Sequence, residues 1–194
     1  MEDITLELLR LETQKLCNNL KSCEPMILVR AREEILKTTQ DFEKAIDVLK
    51  TLNNVLNHTS NKEERSTLSM AMFFWQFEGL YVCRLDLFCL LLVASGHDLF
   101  NLIRRKYVSS IDEIGEVDLS TKFKFLDVHK FKMLNREEDQ RIRNKIAHHD
   151  FSLDDKGNIL VDGEIVDFLS KIIDLNEFVS KITTIFIECW GKSK

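Results

Sequence analysis

The most restrictive feature of this sequence is how few residues it holds that favour turns. Only one proline and six glycines occur in 194 residues. An all-β fold needs a turn every few residues, and most turns depend on these amino acids. Hydrophobic residues make up 44% of the chain and charged residues 30%, which is typical of a globular protein with a sizeable core. We therefore expect an all-α fold, a compact helical bundle in which residues 1–194 form a single domain.

Apolar residues at helical spacing predict the main helices. They indicate helices over residues 4–20, 26–57 and 164–190. Residues 63–95 are apolar nearly all round, which predicts a long central helix surrounded by the others, with Gly79 as the place for a kink. Ser60 or Asn61 is expected to cap this helix. Its two interrupting charges, Arg84 and Asp86, are either structural or face the same cleft as the motif described below.

Shorter elements separate these helices. We expect a short helix over residues 97–107, a loop over 109–120, and a further helix opened by Asp118, Ser120 or Thr121. A helix capped by Asn135 or its neighbours follows, with acidic residues in its first turn, as the helix dipole favours. The sequence DDKGN between short apolar segments predicts a small β-hairpin or ordered loop at about residues 150–163, before the last helix.

Several patterns bear on the cellular context. The N-terminus is acidic and amphipathic, unlike a signal peptide, and the longest apolar run is too short to cross a bilayer. Five cysteines occur without a CxxC pair or zinc-finger spacing, so they are expected to be reduced and mostly buried. The sequence therefore predicts a cytoplasmic protein without a membrane partner, a metal ion or another cofactor.

One segment reverses the charge of the chain. The net charge is −5, yet residues 121–149 contain eight basic residues against four acidic ones. Such a segment either binds a nucleic-acid backbone or is a solvated helix face of mixed charge.

The stretch RIRNKIAHHDF, residues 141–151, lies within this basic segment. It contains Arg143, Asn144 and His148 in the form Arg-Asn-x-x-x-His, with His149 directly after. Histidine changes charge near neutral pH and can transfer protons, and the planar guanidinium of arginine binds phosphate oxygens in pairs. The structural alternative is that the histidines stabilise the helix dipole and that Arg143 pairs with Asp139 or Asp150.

This motif, near the end of a helical chain, resembles that of the HEPN (higher eukaryotes and prokaryotes nucleotide-binding) superfamily. The family signature is an arginine followed after four to six residues by a histidine, commonly with a polar residue after the arginine. Arg143, Asn144 and His148 match these positions, and His149 also fits the spacing. The sequence that follows, HHDFSLDDKGNIL, also looks like that of several bacterial HEPN groups.

The resemblance implies a metal-independent endoribonuclease that acts as a toxin or as an effector in antiviral defence. Arg143 would bind the scissile phosphate, His148 or His149 would act as general acid or base, and Asn144 would orient one of them. We expect the RNA backbone to contact four basic residues: Lys145, Arg141, Arg136 and Lys132.

Helix geometry limits what one copy of the motif can do. Side chains five positions apart are about 140° apart around a helix, so Arg143 and His148 do not share a face. Either Arg143 reaches round, or the helix is irregular, or two copies face each other. The resemblance favours the third, since HEPN ribonucleases typically build a composite site across a homodimer interface.

The position two residues after His148 differs from that in one branch of the family. In one toxin branch the motif continues as His-x-Tyr, and a partner antitoxin modifies the tyrosine; here Asp150 stands at that position. The alternative function is a non-catalytic HEPN-like module that binds a protein or nucleotide partner.

Overall fold

The computed structural model describes residues 2–23, 25–101, 105–108 and 111–191. Its helices are α1 (Glu2–Lys21), α2 (Pro25–His58), α3 (Lys62–Gln76), a π-helical segment (Phe77–Val82), α4 (Cys83–Ala94), α5 (Leu119–Val128), α6 (Glu137–Ala147) and α7 (Phe168–Gly191). Two short 3₁₀ helices cover Ile111–Glu116 and Lys132–Leu134. The strands are β1 (Phe100–Asn101), β2 (Lys106–Tyr107), β3 (Ser152–Leu153), β4 (Ile159–Val161) and β5 (Glu164–Ile165).

The predicted mostly helical fold is confirmed, and local capping explains where helices begin. The side chain of Asn61 accepts a hydrogen bond from the backbone N–H of Glu64, which starts α3. Asp118 starts α5 in the same way by accepting from the backbone N–H of Thr121 at 2.9 Å. Each cap satisfies a backbone donor that the first helical turn leaves without a partner.

The run from residue 62 to residue 94 is helical, but it is three segments rather than one apolar helix. The π-helical segment separates α3 from α4. Only α4 is buried nearly all round, whereas α3 exposes polar residues and 45% of Trp75. Gly79 lies inside the π-helical segment, at the place where a kink was predicted. A Cβ atom at this position would lie 3.0 Å from the Cβ of Ala45. Glycine therefore permits a close approach of α2.

The predicted helix over residues 97–107 is wrong for the residues described. Strands β1 and β2 pair in antiparallel fashion, and the rings of Phe100 and Tyr107 lie 5.1 Å apart across the ladder. This cross-strand aromatic pair favours a hairpin over a helix. Residues 102–104 lie outside the described residues. The predicted loop over 109–120 contains the 3₁₀ helix Ile111–Glu116, and residues 109 and 110 are also outside.

The small β element before the last helix is confirmed, and it has one more strand than a hairpin. The antiparallel order is β3-β4-β5. Asp154 accepts hydrogen bonds from the backbone N–H groups of Lys156 and Asn158, which closes the first turn. Gly157 in that turn has a φ of +74° and packs against the backbone of Glu63. Because β5 takes up residues 164–165, α7 begins at Phe168 and not at residue 164.

The chain forms two compact units, each built from separated segments. Unit 1 comprises Met1–Gln40, Val82–Asn135 and Ser180–Lys194, and unit 2 comprises Asp41–Tyr81 and Arg136–Val179. The single domain predicted from the length stays a prediction.

Each unit has its own apolar core. In unit 1, α4 packs against α1 and against α5, with fully buried leucines on α1 and α4, and the rings of Phe88 and Phe131 lie 5.3 Å apart. In unit 2, Phe73 contacts Phe77 and Phe168, with ring centroids 6.3 Å and 5.5 Å away. Burying one such side chain contributes roughly 2 kcal/mol before the entropic cost of folding. Among the described residues, no helix combines the length and the apolar character needed to cross a bilayer.

Burial and ion pairing describe the environments of the five cysteines and of the two charged residues of α4. All five cysteines lie within the described residues and are in the reduced thiol form, and Cys17, Cys89 and Cys189 are buried. Asp86 pairs with Lys122 of α5 at 2.5 Å, although the Lys122 side chain is only 3% exposed. Arg84 is also buried, and burial lowers its pKa. The ion pair of Asp86 and the burial of Arg84 favour the structural interpretation of both charges.

Two histidines meet in unit 1. The rings of His97, just after α4, and His129, at the end of α5, lie 4.2 Å apart, and Phe125 packs edge-on against His129. Burial, and then the charge of His97, lower the pKa of His129 below its ordinary value. The folded protein therefore binds fewer protons here than the unfolded chain. The resulting stability is complete above the unfolded pKa of about 6.5 and is lost as the pH falls through the folded value.

We predict that His129→Gln makes stability less dependent on pH. Glutamine does not titrate, so the urea midpoint should fall less between pH 7 and pH 5 in this variant than in the wild type. Chemical unfolding at several pH values measures the difference. His58→Gln, at an exposed histidine of α2, is the control and should keep the wild-type pH dependence. Equal pH dependence in all three proteins would contradict a role for His129.

Candidate functional site

The sequence motif lies on α6, the penultimate helix, within unit 2. Arg136 occupies the N-cap position, beside Asn135, and the acidic first turn holds Glu137, Glu138 and Asp139 as predicted. The α-helix ends at Ala147, so His148 is its C-cap and His149 lies beyond it. The motif therefore spans the last turn of the helix and the start of the following turn.

The start of α6 is held by ion pairs. Arg136 donates through Nε to Asp139 and through Nη2 to Asp174, and its guanidinium lies 4.9 Å from the ring centroid of Phe178. Asp139 is only 2% exposed and also lies 3.3 Å from Lys171. Burial alone would lower the pKa of Arg136, but its hydrogen bond to Asp174 and the charge of Asp139 raise it. Arg136, predicted to bind RNA, thus has a structural role here.

The end of α6 forms a Schellman turn. The backbone N–H of His149 donates to the carbonyl of Ile146 at 3.0 Å, and that of Asp150 donates to the carbonyl of Lys145 at 2.8 Å. His149 closes this turn with a φ of +56°, a conformation that glycine normally supplies. A 2.5 Å ion pair between Lys145 and Asp150 spans the same turn. The two histidines therefore differ in backbone conformation, with a φ of −95° at His148 and +56° at His149.

Arg143 has partners that the sequence did not predict. Its Nε donates to Oε1 of Glu78, which is 65 positions away on the π-helical segment. Its Nη1 donates to Oδ1 of Asn144 at 3.0 Å, and the guanidinium lies 5.7 Å from the ring centroid of Phe74. The predicted alternative pairing of Arg143 with Asp139 or Asp150 is wrong, because those carboxylates pair with Arg136 and Lys145. With 26% of its side chain exposed, Arg143 remains accessible.

Asn144 and His148 share a surface. They line one open depression on the outer face of α6 together with Gln140, Arg141 and Lys145. Arg143 is not part of that lining, which agrees with the predicted angular separation of Arg143 and His148 on a helix. Asn144 accepts a hydrogen bond from Arg143 and lines the same depression as His148.

Other predicted RNA-binding residues carry partners of their own. Arg141 pairs with Asp162 in the turn between β4 and β5. Lys145 lies 2.9 Å from the same carboxylate. The hydrogen bonds to Asp150 and Asp162 raise the pKa of Lys145, and Lys145 is the main cause that lowers the pKa of Asp162. Lys132 is exposed on a 3₁₀ helix of unit 1.

Glu78 is the residue that sequence reasoning missed. It is the acidic residue in the apolar stretch MAMFFWQFEGLYV, and this isolation is the signal that could have drawn attention to it. Within the described part of the chain, no three histidine, cysteine or acidic side chains lie together as ligands for a metal ion.

We predict that His149→Gly is tolerated and that His149→Val is not. Glycine adopts a positive φ without steric cost, so the free energy of unfolding should rise by up to about 1 kcal/mol. Valine, branched at Cβ, should lower it by more than about 1 kcal/mol. Urea unfolding measures both changes. A stabilised His149→Gly variant that keeps its activity would also assign the functional histidine to His148, whereas loss of activity would favour His149.

Comparisons with known proteins identify no relative. No family model matches the chain, and no curated protein or solved structure matches it either.

Proposed function

We propose that this protein is a metal-independent endoribonuclease whose functional residues are Arg143, Asn144 and His148. One observation carries the proposal: Asn144 accepts a hydrogen bond from Arg143 and shares a solvent-open depression with His148. Asn144 thus contacts Arg143 and lines the same depression as His148. The resemblance to the HEPN superfamily assigns the same three positions.

The chemistry follows from these residue types. His148 removes the proton from a ribose 2′-hydroxyl, the 2′-oxygen forms a bond to phosphorus, and the bond from phosphorus to the 5′-oxygen breaks. The protonated His148 then returns this proton, through a water molecule, to the leaving oxygen. Arg143 stabilises the charge that develops on the phosphate oxygens. The products are a 2′,3′-cyclic phosphate and a 5′-hydroxyl, and DNA is not cut because it lacks the attacking group.

The ion pairs near the depression are compatible with RNA binding. The pairs that Asp162 makes with Arg141 and Lys145 are exposed, and exposed pairs contribute little to stability. Phosphate groups of RNA can therefore replace the carboxylates, and binding should weaken as salt increases. Lys132, which belongs to unit 1, stays a predicted backbone contact.

A homodimer completes the proposed site. Arg143 is turned toward the π-helical segment, whereas His148 lies at the depression, so one copy holds the two groups apart. Two copies related by a two-fold axis would bring the histidine of one protomer toward the arginine of its partner. We also propose that the apolar run predicted over residues 63–95 is the central helical element of the fold.

The biological role we propose is that of a toxin or an antiphage defence effector with RNA as its substrate. Such an activity requires restraint in its host, which a partner antitoxin or another defence-system component would supply. Asp150 stands where one toxin branch has a tyrosine, so control by modification of that tyrosine is not part of the proposal.

A non-catalytic binding module is the second candidate. It is favoured by the carboxylate partners of Arg136, Arg141, Arg143 and Lys145. In such a protein these pairs would stabilise a surface for a protein or nucleotide partner, with no turnover.

We predict that the wild-type protein cleaves single-stranded RNA in EDTA, and that Arg143→Ala and His148→Ala reduce the rate at least about 100-fold. Removal of Asn144 should have a smaller effect. Gel analysis of end-labelled RNA measures the rates, and its products should carry a 2′,3′-cyclic phosphate. The matched DNA oligonucleotide should stay intact.

The variants separate the two candidates. Unchanged cleavage by both alanine variants would disprove the site assignment. Absence of cleavage by all proteins, with folded variants and retained binding of a partner, would favour the binding module.

We predict that the protein is a dimer at micromolar concentration, and sedimentation analysis measures its mass. Mixing Arg143→Ala with His148→Ala protomers should produce heterodimers whose activity exceeds that of either variant alone, because one of the two composite sites then keeps an intact arginine and histidine. A monomer that cleaves RNA would contradict the composite site while leaving the cleavage proposal intact.

A further inference from the structure

The π-helical segment that carries Glu78 is held on both sides within unit 2. Gly79 lets Ala45 of α2 approach to a distance that a larger residue would prevent. Tyr81 is fully buried; burial raises its pKa, and a hydrogen bond to the backbone of Arg136 opposes this rise. Glu78 therefore projects from a fixed backbone, and π-helical segments are frequently found at functional sites.

Glu78 determines which edge of Arg143 is available. The carboxylate accepts from Nε, and Asn144 accepts from Nη1 at 3.0 Å. The ring of Phe74 lies 5.7 Å from the guanidinium carbon. Among the described residues no acceptor is found for Nη2. A phosphate oxygen can therefore approach Nη2, and the remaining hydrogen of Nη1, without displacing Glu78.

We propose that Glu78 is the positioning residue of Arg143, an inference that rests on the proposed function. Glu78 holds the guanidinium group of Arg143 through its Nε atom. The Nη1 and Nη2 atoms then face the scissile phosphate in one orientation. Its negative charge also weakens the attraction of Arg143 for phosphate in the ground state. Glu78 thus orients Arg143 for the reaction, and in doing so it weakens the binding of the substrate.

The test is a split between kcat and KM in Glu78→Gln. Glutamine keeps the shape of the side chain but loses the charge, so Arg143 becomes more mobile and more attractive to RNA. We expect kcat to fall roughly tenfold and KM to fall about threefold. Glu78→Asp, which restores the charge on a shorter side chain, should recover part of kcat and bring KM back toward the wild-type value. If Glu78 only stabilised the fold, Glu78→Gln would lower the fraction of active protein, and KM would not change.

Glu138→Gln is the matched control. It removes the same charge and also breaks one ion pair, that with Lys171 at 2.6 Å, but it does not contact Arg143. We expect its kcat and KM to stay within about twofold of the wild type. If Glu78→Gln behaves like Glu138→Gln in an active protein, the positioning role is overturned while the ribonuclease proposal stands.

A second measurement does not depend on activity. The Nε–Hε resonance of Arg143, assigned by its loss in Arg143→Lys, should be protected from exchange in the wild type and less protected in Glu78→Gln, because a neutral amide oxygen accepts more weakly than a carboxylate. Titration with inorganic phosphate should show a several-fold lower Kd in Glu78→Gln, because the competing charge is gone. If the wild type does not cleave RNA, the proposed function fails, and this titration then decides about Glu78. Identical resonances and Kd values in both proteins would overturn the inference.

Discussion

Charged contacts between guanidinium groups and carboxylates hold α6 in unit 2, and the candidate site depends on them. Arg136 binds Asp139 and Asp174 at the start of the helix, and Arg143 binds Glu78 further along. A helix with contacts at two points along its length cannot rotate freely about its axis. The direction of every motif side chain, and hence the surface that α6 presents, follows from these pairs.

The same contacts limit the chemistry of the site. The charge of a guanidinium that already binds a carboxylate is largely neutralised by its partner, so its attraction of a polyanion from a distance is weak. Short-range contacts are different, because Arg143 keeps an Nη edge and 26% of its side chain exposed. The arrangement therefore suits contact with one phosphate better than broad binding of a polyanion, in line with the cleavage proposed above.

Sequence reasoning succeeded where structure is decided by neighbouring residues. The ends of α1 and α2, the capping roles of Asn61 and Asp118, and the acidic first turn of α6 all follow from local spacing and side-chain chemistry. It failed for residues 97–107, where pairing of β1 with β2 outweighs helical spacing. The predicted start of the last helix at residue 164 is also too early, because residues 164–165 form strand β5, which pairs with β4.

By itself, the sequence determined the mostly helical character of the chain and the identity of the motif residues, because periodicity and spacing are local properties. It also indicated that Arg143 and His148 lie on different faces of a helix. Only the tertiary structure decided that Arg143 meets Glu78, that Asn144 connects Arg143 to the depression at His148, and that His149 closes a turn with positive φ. The physical reason is distance along the chain: a contact between residues 65 positions apart leaves no periodic trace.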